Sequence, residues 1–256
     1  MDPRIWIMIA AVASAAALGG FVQRVSGFGF GIVTMIFLPH ILAEYGEANM
    51  LCSLLSVTLN IVIISRVGKN TDWKAIILPA IAFAAVNVPA VMLLRTRPNN
   101  LLFIMLGAVL VFMSVWFAFL SKRIRIKDNP LSALACGGLS GLLGGLFSMS
   151  GPPAVVYFLE SSKGDNLRYL GTIQAYFLIT NAFSCVVKAS NGFLTREVAV
   201  LYAAGLLGVL AGAAVGSLVF NRLDGGKLRK TVYVFMACSG VVNVVTGIIR
   251  LTNQGG

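Results

Sequence analysis

Apolar runs of membrane-spanning length alternate with short polar loops along almost the whole chain. A transmembrane helix needs about 20 predominantly apolar residues. Eight runs approach that length, at about residues 5–23, 50–65, 75–94, 101–120, 131–147, 169–187, 198–219 and 231–249. The loops between them leave no room for a domain outside the membrane. The pattern therefore predicts a single integral membrane domain that is all-α.

Two short stretches interrupt apolar segments that would otherwise continue as helix. They are Ser26-Gly-Phe-Gly-Phe-Gly31 and Ser148-Met-Ser-Gly-Pro-Pro153. Glycine permits left-handed backbone and proline removes a donor, so each stretch is predicted to break a helix inside the bilayer. Non-helical backbone at that depth survives only where protein or a water-filled cavity satisfies its polar groups. A single break could be a simple kink or a close-packing point, but two breaks at matching positions favour a binding site.

The two breaks belong to a repeat that covers the chain. A shift of 122 residues places Ser26 on Ser148 and Gly29 on Gly151, and each half has the same order of a broken segment, three apolar helices and a basic loop. This order predicts two membrane repeats, 1–124 and 125–256. As one helix, the broken segment 5–39 would be about 52 Å long. Since the hydrocarbon core is about 30 Å thick, a hairpin of two shorter helices that returns to its own side fits better.

The basic residues orient these repeats. The net charge is +11, but the Lys and Arg residues lie almost entirely in loops, which indicates membrane orientation rather than nucleic-acid binding. If both broken segments return, thirteen basic residues fall on one face and six on the other; if both cross, the division is eleven to eight. The sharper asymmetry favours returning hairpins. Three full crossings per half then make the two repeats inverted relative to each other.

Inverted repeats with broken helices bring the breaks together near the midplane. The second helix of each hairpin is predicted to begin near Ile32 and Ala154, with its exposed N–H groups and positive dipole end toward the cavity. These groups favour an anion. The residues expected to add hydroxyl donors or to suit a first helical turn are Ser26, Ser148, Ser150, Pro152 and Pro153.

Polar residues also form stripes on other helices. Ser53, Ser56 and Asn60 share one helical face, and residues 174, 181 and 188 share another at a spacing of seven. For serine and threonine, hydrogen bonding between helices is the favoured role. For Gln174 and Asn181 we favour ligand contact, because they lie in the half with the second break. Lys188 ends its helix and is predicted to be an interfacial anchor.

The sequence leaves two possible roles for one cation and two for a pair of glycine patterns. Arg24 lies in an apolar run two residues before the first break, where it either contacts substrate or its pathway or extends to the interface. Glycines recur every four residues at 208–216 and 137–145. These faces predict close packing, within the bundle or between subunits of a homo-oligomer.

Nothing in the sequence favours an enzyme, a metal site or a cofactor. The single histidine, His40, has no nucleophile at a recognisable motif spacing, and the four cysteines lack metal-ligand spacing. There is no GxxxxGK[ST] motif, so ATP is not expected to drive the protein. The N-terminal apolar run is interpreted as the first helix of the repeat rather than as a signal peptide, because its counterpart at 131–147 is kept in the second half.

The segment from Val22 to Pro39 resembles the TauE/SafE family of sulfite-exporter-like membrane proteins, and 144–154 is similar to the family's second glycine-rich motif. The second motif departs from many members, since this chain has serines and a proline pair where they have a run of glycines. The resemblance implies transport of sulfite, thiosulfate, sulfonates or organosulfur acids. The positions that it carries over are Gln23, Ser26, Gly27, Gly29, Gly31, Ser148, Ser150, Gly151, Pro152 and Pro153.

Together these patterns predict a secondary transporter in a bacterial-type inner membrane, which binds a small sulfur-containing anion between the breaks and exposes it alternately to each side. Two alternatives stay open. An ion channel would be expected to carry a ring of charges along its pore, which this sequence lacks. A non-transporting membrane scaffold would use the glycine faces as its active surface.

Overall fold

A computed structural model describes residues 3–120, 127–219 and 225–252, and this part of the chain contains ten α-helices. Eight of these helices are long and apolar enough to cross a membrane, which confirms the all-α membrane prediction for the described part of the chain. The helices are α1 (Pro3–Ser26), α2 (Phe30–Ile41), α3 (Tyr45–Val67), α4 (Trp73–Thr96), α5 (Asn99–Val115), α6 (Pro130–Phe147), α7 (Gly151–Ser161), α8 (Asn166–Ser190), α9 (Arg196–Val219) and α10 (Gly225–Thr252).

Polar residues in the loops start several of these helices. The side chain of Asp72 accepts the first free N–H groups of α4, and Asp165 does the same for α8. Asn129 caps α6, and Pro130 follows at the first helical position, where its missing N–H costs nothing. The loop sequence thus fixes where each of these apolar helices begins.

Each broken segment forms two helices, as predicted, but the first arm is longer than expected. α1 has 24 residues and α2 has 12, or about 36 Å and 18 Å of helix. α1 is therefore long enough to cross the hydrocarbon core by itself, and α2 is not. The second arms begin at Phe30 and Gly151, two and three residues before the predicted starts at Ile32 and Ala154.

Long helices pair in a regular way: α1 with α9, α4 with α6, α5 with α10, and α3 with α8. Glycines make the close pairs possible. A Cβ on Gly212 would lie 2.0 Å from the carbonyl oxygen of Ala17 in α1, and one on Gly141 would lie 2.5 Å from that of Phe83 in α4. The glycine faces at 208–216 and 137–145 therefore pack within the bundle, one of the two roles left open by the sequence.

An ion pair joins the two halves at one end of the bundle. Arg168, near the start of α8, donates to the carboxylate of Asp72, and this contact with Arg168 lowers the pKa of Asp72. The backbone N–H of Asp72 also donates to the hydroxyl of Thr172 at 2.9 Å. The predicted repeat boundary at residue 124 and the basic loop at 121–126 lie outside the described residues.

Candidate functional site

The first break is a short left-handed turn held by two glutamines. Gly27 and Gly29 have φ values of 84° and 105°, a conformation that favours glycine. Gln23 accepts the N–H of Phe30, the first residue of α2, at 3.2 Å. Its amide nitrogen donates to Asn60 of α3 at 2.8 Å. Gln174 of α8 donates to the carbonyl of Gly27 at 2.9 Å, so helices from both halves fix this turn.

The second break is closed by a serine in the left-handed region. Ser148 has φ 53°, and the N–H groups of Ser148 and Met149 bond back to α6, at the carbonyls of Gly144 and Leu143. Left-handed backbone is unfavourable for a residue with a Cβ by about 1–2 kcal/mol. Hydrogen bonds compensate for it: the Ser148 hydroxyl lies 2.6 Å from the Asn49 side-chain oxygen and 2.9 Å from that of Ser53.

The two breaks touch each other. A Cβ on Gly31 would lie 1.9 Å from the carbonyl oxygen of Ser148, so only glycine fits at this crossing. A cavity lies beside the contact. One of its lining residues is Ser56, which is half-way along α3, so the cavity is near the middle of that helix. Its lining residues are Gln23, Gly29, Gly31, Ile32, Ser56, Ser148, Met149, Ser150, Gly151, Phe177 and Asn181.

This lining is rich in donors. Among the described residues, no acceptor meets the backbone N–H groups of Gly31 and Ile32 at the start of α2, or those of Ser150 and Gly151 at the start of α7. Two helix dipoles therefore present their positive ends to one cavity. The hydroxyl of Ser150 and the amide of Asn181 also lack a described hydrogen-bond partner, and no Asp or Glu is part of the lining. Such a set of groups suits an anion.

The structure brings together seven of the thirteen residues predicted to bind substrate. The seven in the cavity lining are Gln23, Gly29, Gly31, Ser148, Ser150, Gly151 and Asn181. Gly27, Pro152 and Pro153 are in the breaks but do not line the cavity. Gln174 does not line the cavity either, and it contacts the first break through its hydrogen bond to the carbonyl of Gly27.

Two other predicted residues, Ser26 and Arg24, do not line the cavity between the breaks. The Ser26 hydroxyl lies 2.7 Å and 2.6 Å from the carbonyl oxygens of Val22 and Phe28, so its one hydrogen is used within the first break. Arg24 donates to Ser217 of α9 at 2.7 Å. It lines a separate cavity with Arg66 and apolar residues of α3 and α9.

Lys188 was wrongly predicted to be an interfacial anchor. Its side chain is fully buried, and its ammonium donates to Ser53, Ser148 and the carbonyl of Gly144 at the second break. The sequence did contain an indication that Lys188 faces the interior, because it shares one helical face with Gln174 and Asn181 at a spacing of seven residues. One face of α8 reaches the first break, the cavity and the second break in turn.

Comparisons with known proteins identify the family to which the chain belongs. Residues 12–242 match the model of the family described as sulfite exporter TauE/SafE. The chain is also similar to the probable sulfite/organosulfonate exporter TauE of Cupriavidus necator, with 25% identity over 187 residues, which are 71% of this chain and 72% of the relative. No solved structure gives a significant match. With the match extending over nearly all ten helices, the chain belongs to the TauE/SafE sulfite exporter family of multi-pass membrane proteins, which in bacteria lie in the inner membrane.

Proposed function

We propose that this protein is a secondary transporter of small sulfur oxyanions, such as sulfite, thiosulfate and sulfonates, and that it binds them in the cavity between the two breaks. The observation that carries the proposal is the convergence of two helix N-termini on one cavity without an acidic residue in its lining. The name of the Cupriavidus necator relative, a probable sulfite/organosulfonate exporter, supports the choice of sulfur anions.

The donors in the cavity match the needs of an oxyanion. Four backbone N–H groups, the Ser150 hydroxyl and the Asn181 amide would donate to oxygens of the ligand. Because the groups that line the cavity are neutral, the anion forms no direct ion pair that would slow its release, and a site of this kind can be loaded and emptied in each cycle.

The helix pairing supports an inverted-repeat arrangement. If the two halves are exchanged, α1 with α9 becomes α6 with α4, while α3 with α8 and α5 with α10 are unchanged. Related halves joined at a midplane site are typical of carriers that rock one repeat against the other. We therefore propose repeats at 1–124 and 125–256 and alternating access, with the contact between Gly31 and Ser148 as the point around which the hairpins move.

The substitution Ser150→Ala tests the site. The Ser150 hydroxyl has no described hydrogen-bond partner, so its loss leaves no protein group unsatisfied and the melting temperature stays near that of the wild type. A hydrogen bond to a charged group contributes about 1.5–3 kcal/mol, so the affinity for a sulfur oxyanion falls by about ten- to a hundredfold. Ser65→Ala is the matched control, because the Ser65 hydroxyl is exposed and bonds only to Val62.

Binding is measured by titrating the detergent-purified protein with sulfite, thiosulfate and methanesulfonate, with formate as a carboxylate comparison. A ligand that binds the folded state raises its melting temperature. Unchanged affinity in Ser150→Ala would remove this cavity as the site. If no sulfur oxyanion stabilises the wild type, the proposed function itself is wrong, and the scaffold alternative gains support.

Counterflow in proteoliposomes tests the transport mode. Vesicles loaded with unlabelled sulfite should take up radiolabelled sulfite transiently above its equilibrium level, because a carrier exchanges one ligand for another. A channel would give fast equilibration without this overshoot, and that result would contradict alternating access.

A further inference from the structure

Lys188 is a fully buried cation at the second break. It lies in the last turn of α8, and its side chain is buried inside the bundle. The ammonium lies 2.6 Å from the Ser53 hydroxyl, 3.1 Å from the Ser148 hydroxyl and 3.1 Å from the carbonyl oxygen of Gly144. An ammonium has three donors, so these contacts hold it in one position.

The partners of Lys188 satisfy its hydrogen bonds but not its charge. Two hydroxyls and one carbonyl are neutral, and no carboxylate of the described residues lies within 4 Å of the ammonium. Cys52 and Cys185 are the titratable side chains near it, and the Cys52 sulfur is 3.0 Å from the Thr34 hydroxyl. A buried charge is costly unless an opposite charge compensates for it. The described residues around the Lys188 ammonium therefore supply no opposite charge.

Ser148 stands between this charge and the cavity. Its hydroxyl oxygen accepts from Lys188, so its single hydrogen is directed to an oxygen of Asn49 or Ser53 rather than to a ligand. Ser148 also lines the cavity, whereas Lys188 does not. A ligand atom that touches Ser148 would lie about 6 Å or less from the ammonium, because the 3.1 Å contact between Lys188 and Ser148 is followed by one nonbonded contact of about 3 Å. At that range inside a protein, a unit charge still acts strongly on an anion.

We propose that Lys188 determines the charge selectivity of the site: its ammonium, held by Ser53 and Ser148, supplies the positive charge that a sulfur oxyanion in the cavity compensates. This inference rests on the anion transport proposed above. Lys188 does not line the cavity and acts on the ligand by its charge at a distance, while the direct donors are Ser150, Asn181 and the two helix N-termini. The fixed charge sets how strongly the site distinguishes a dianion from a monoanion.

The test compares two ligands of similar tetrahedral shape and different charge, thiosulfate and methanesulfonate. Removing one positive charge weakens a dianion twice as much, in free energy, as a monoanion at the same place. For Lys188→Gln we expect about a tenfold loss for methanesulfonate and about a hundredfold loss for thiosulfate, so the ratio of the two dissociation constants changes about tenfold, or about 1.4 kcal/mol. A purely structural role would weaken both ligands by the same factor.

Three further variants complete the design. Lys188→Met removes the charge with an apolar side chain of similar length, which a buried site often tolerates, and serves if Lys188→Gln does not fold. Lys188→Arg keeps the charge, so the ratio between the ligands should stay near the wild-type value even if both affinities fall. Lys74→Gln, at an exposed position at the start of α4, is the matched surface control.

Each result decides the inference. A tenfold change in the ratio in Lys188→Gln or Lys188→Met, absent in Lys188→Arg and Lys74→Gln, supports it. Equal losses for both ligands, unchanged affinities, or a wild type that binds methanesulfonate but not thiosulfate would overturn it while leaving anion binding in place. A wild type that binds neither ligand would overturn the proposed function, on which the inference depends.

Discussion

Replacing Gly31 by alanine should separate the two breaks. The added Cβ would lie 1.9 Å from the carbonyl oxygen of Ser148 and 3.0 Å from its carbonyl carbon. An ordinary contact between carbon and oxygen is about 3.3 Å, so one backbone must move by about 1.4 Å. Neither side of this contact is a side chain that could rotate away.

The cost of this movement can be estimated. Forcing extra volume into a well-packed interior typically costs about 1–3 kcal/mol, and a clash between two backbones should lie at the upper end, about 3 kcal/mol. Both residues line the cavity. Because a displacement of about 1 Å in a preorganised site can reduce activity about a hundredfold, Gly31→Ala should lower anion affinity by a similar factor.

Gly138→Ala provides the matched control. Gly138 lies within α6, and a Cβ there would meet only Val86, at 3.5 Å, which is an ordinary contact. Alanine is favoured over glycine inside a helix by about 1 kcal/mol, so this variant should melt at or above the wild-type temperature. The assay is the melting temperature of purified protein with and without methanesulfonate. If Gly31→Ala melts and binds like the wild type, the two breaks are not in contact and the site has been placed wrongly.

Two other predictions concern the support of the site and the link between the halves. Gln23→Met should leave the side chain of Asn60 and the N–H of Phe30 without their hydrogen-bond partner. Each unsatisfied buried group should destabilise the fold by about 1–3 kcal/mol, so the melting temperature should fall. A melting temperature equal to that of the wild type would refute this. Asp72→Asn keeps a helix-capping side chain but removes the carboxylate that pairs with Arg168. Since Arg168 lowers the pKa of Asp72, the ion pair stabilises the fold above the ordinary carboxyl pKa of about 3.9 and is lost as pH falls through the lowered value. The wild type should therefore melt higher than Asp72→Asn at neutral pH and equally in strong acid; a difference that does not depend on pH would contradict this.

Two positions show why a polar pattern alone did not separate ligand contacts from structural ones. Gln174 and Asn181 are on one face of α8, seven residues apart, and were expected to have the same role. In the structure Gln174 donates to a backbone carbonyl of the first break, while Asn181 lines the cavity without a described partner. Amphipathic spacing tells which face points inward, but the hydrogen-bond partner depends on which helix is opposite.

The same reasoning explains the serines of the breaks. Ser26, Ser148 and Ser150 were expected to donate alike to an anion. The Ser26 hydroxyl bonds within its own turn and that of Ser148 belongs to the network with Asn49 and Lys188, which leaves Ser150 as the serine with an available hydroxyl. Each hydroxyl has one hydrogen, and its direction is set by contacts between distant segments.

The sequence by itself determined the membrane helices, the two breaks and the family motifs, because hydropathy, glycine and proline act over short distances along the chain. Only the tertiary structure decided that Gly31 meets Ser148, that the glycine faces pack within the bundle, and that Lys188 is buried rather than at the interface. These outcomes depend on contacts between residues that lie from about 40 to about 195 positions apart in the chain. The local sequence around a lysine near the end of a helix is the same whether the side chain faces water or a neighbouring break. For Lys188 the packing of α8 against α3 and α6 decides between these two positions.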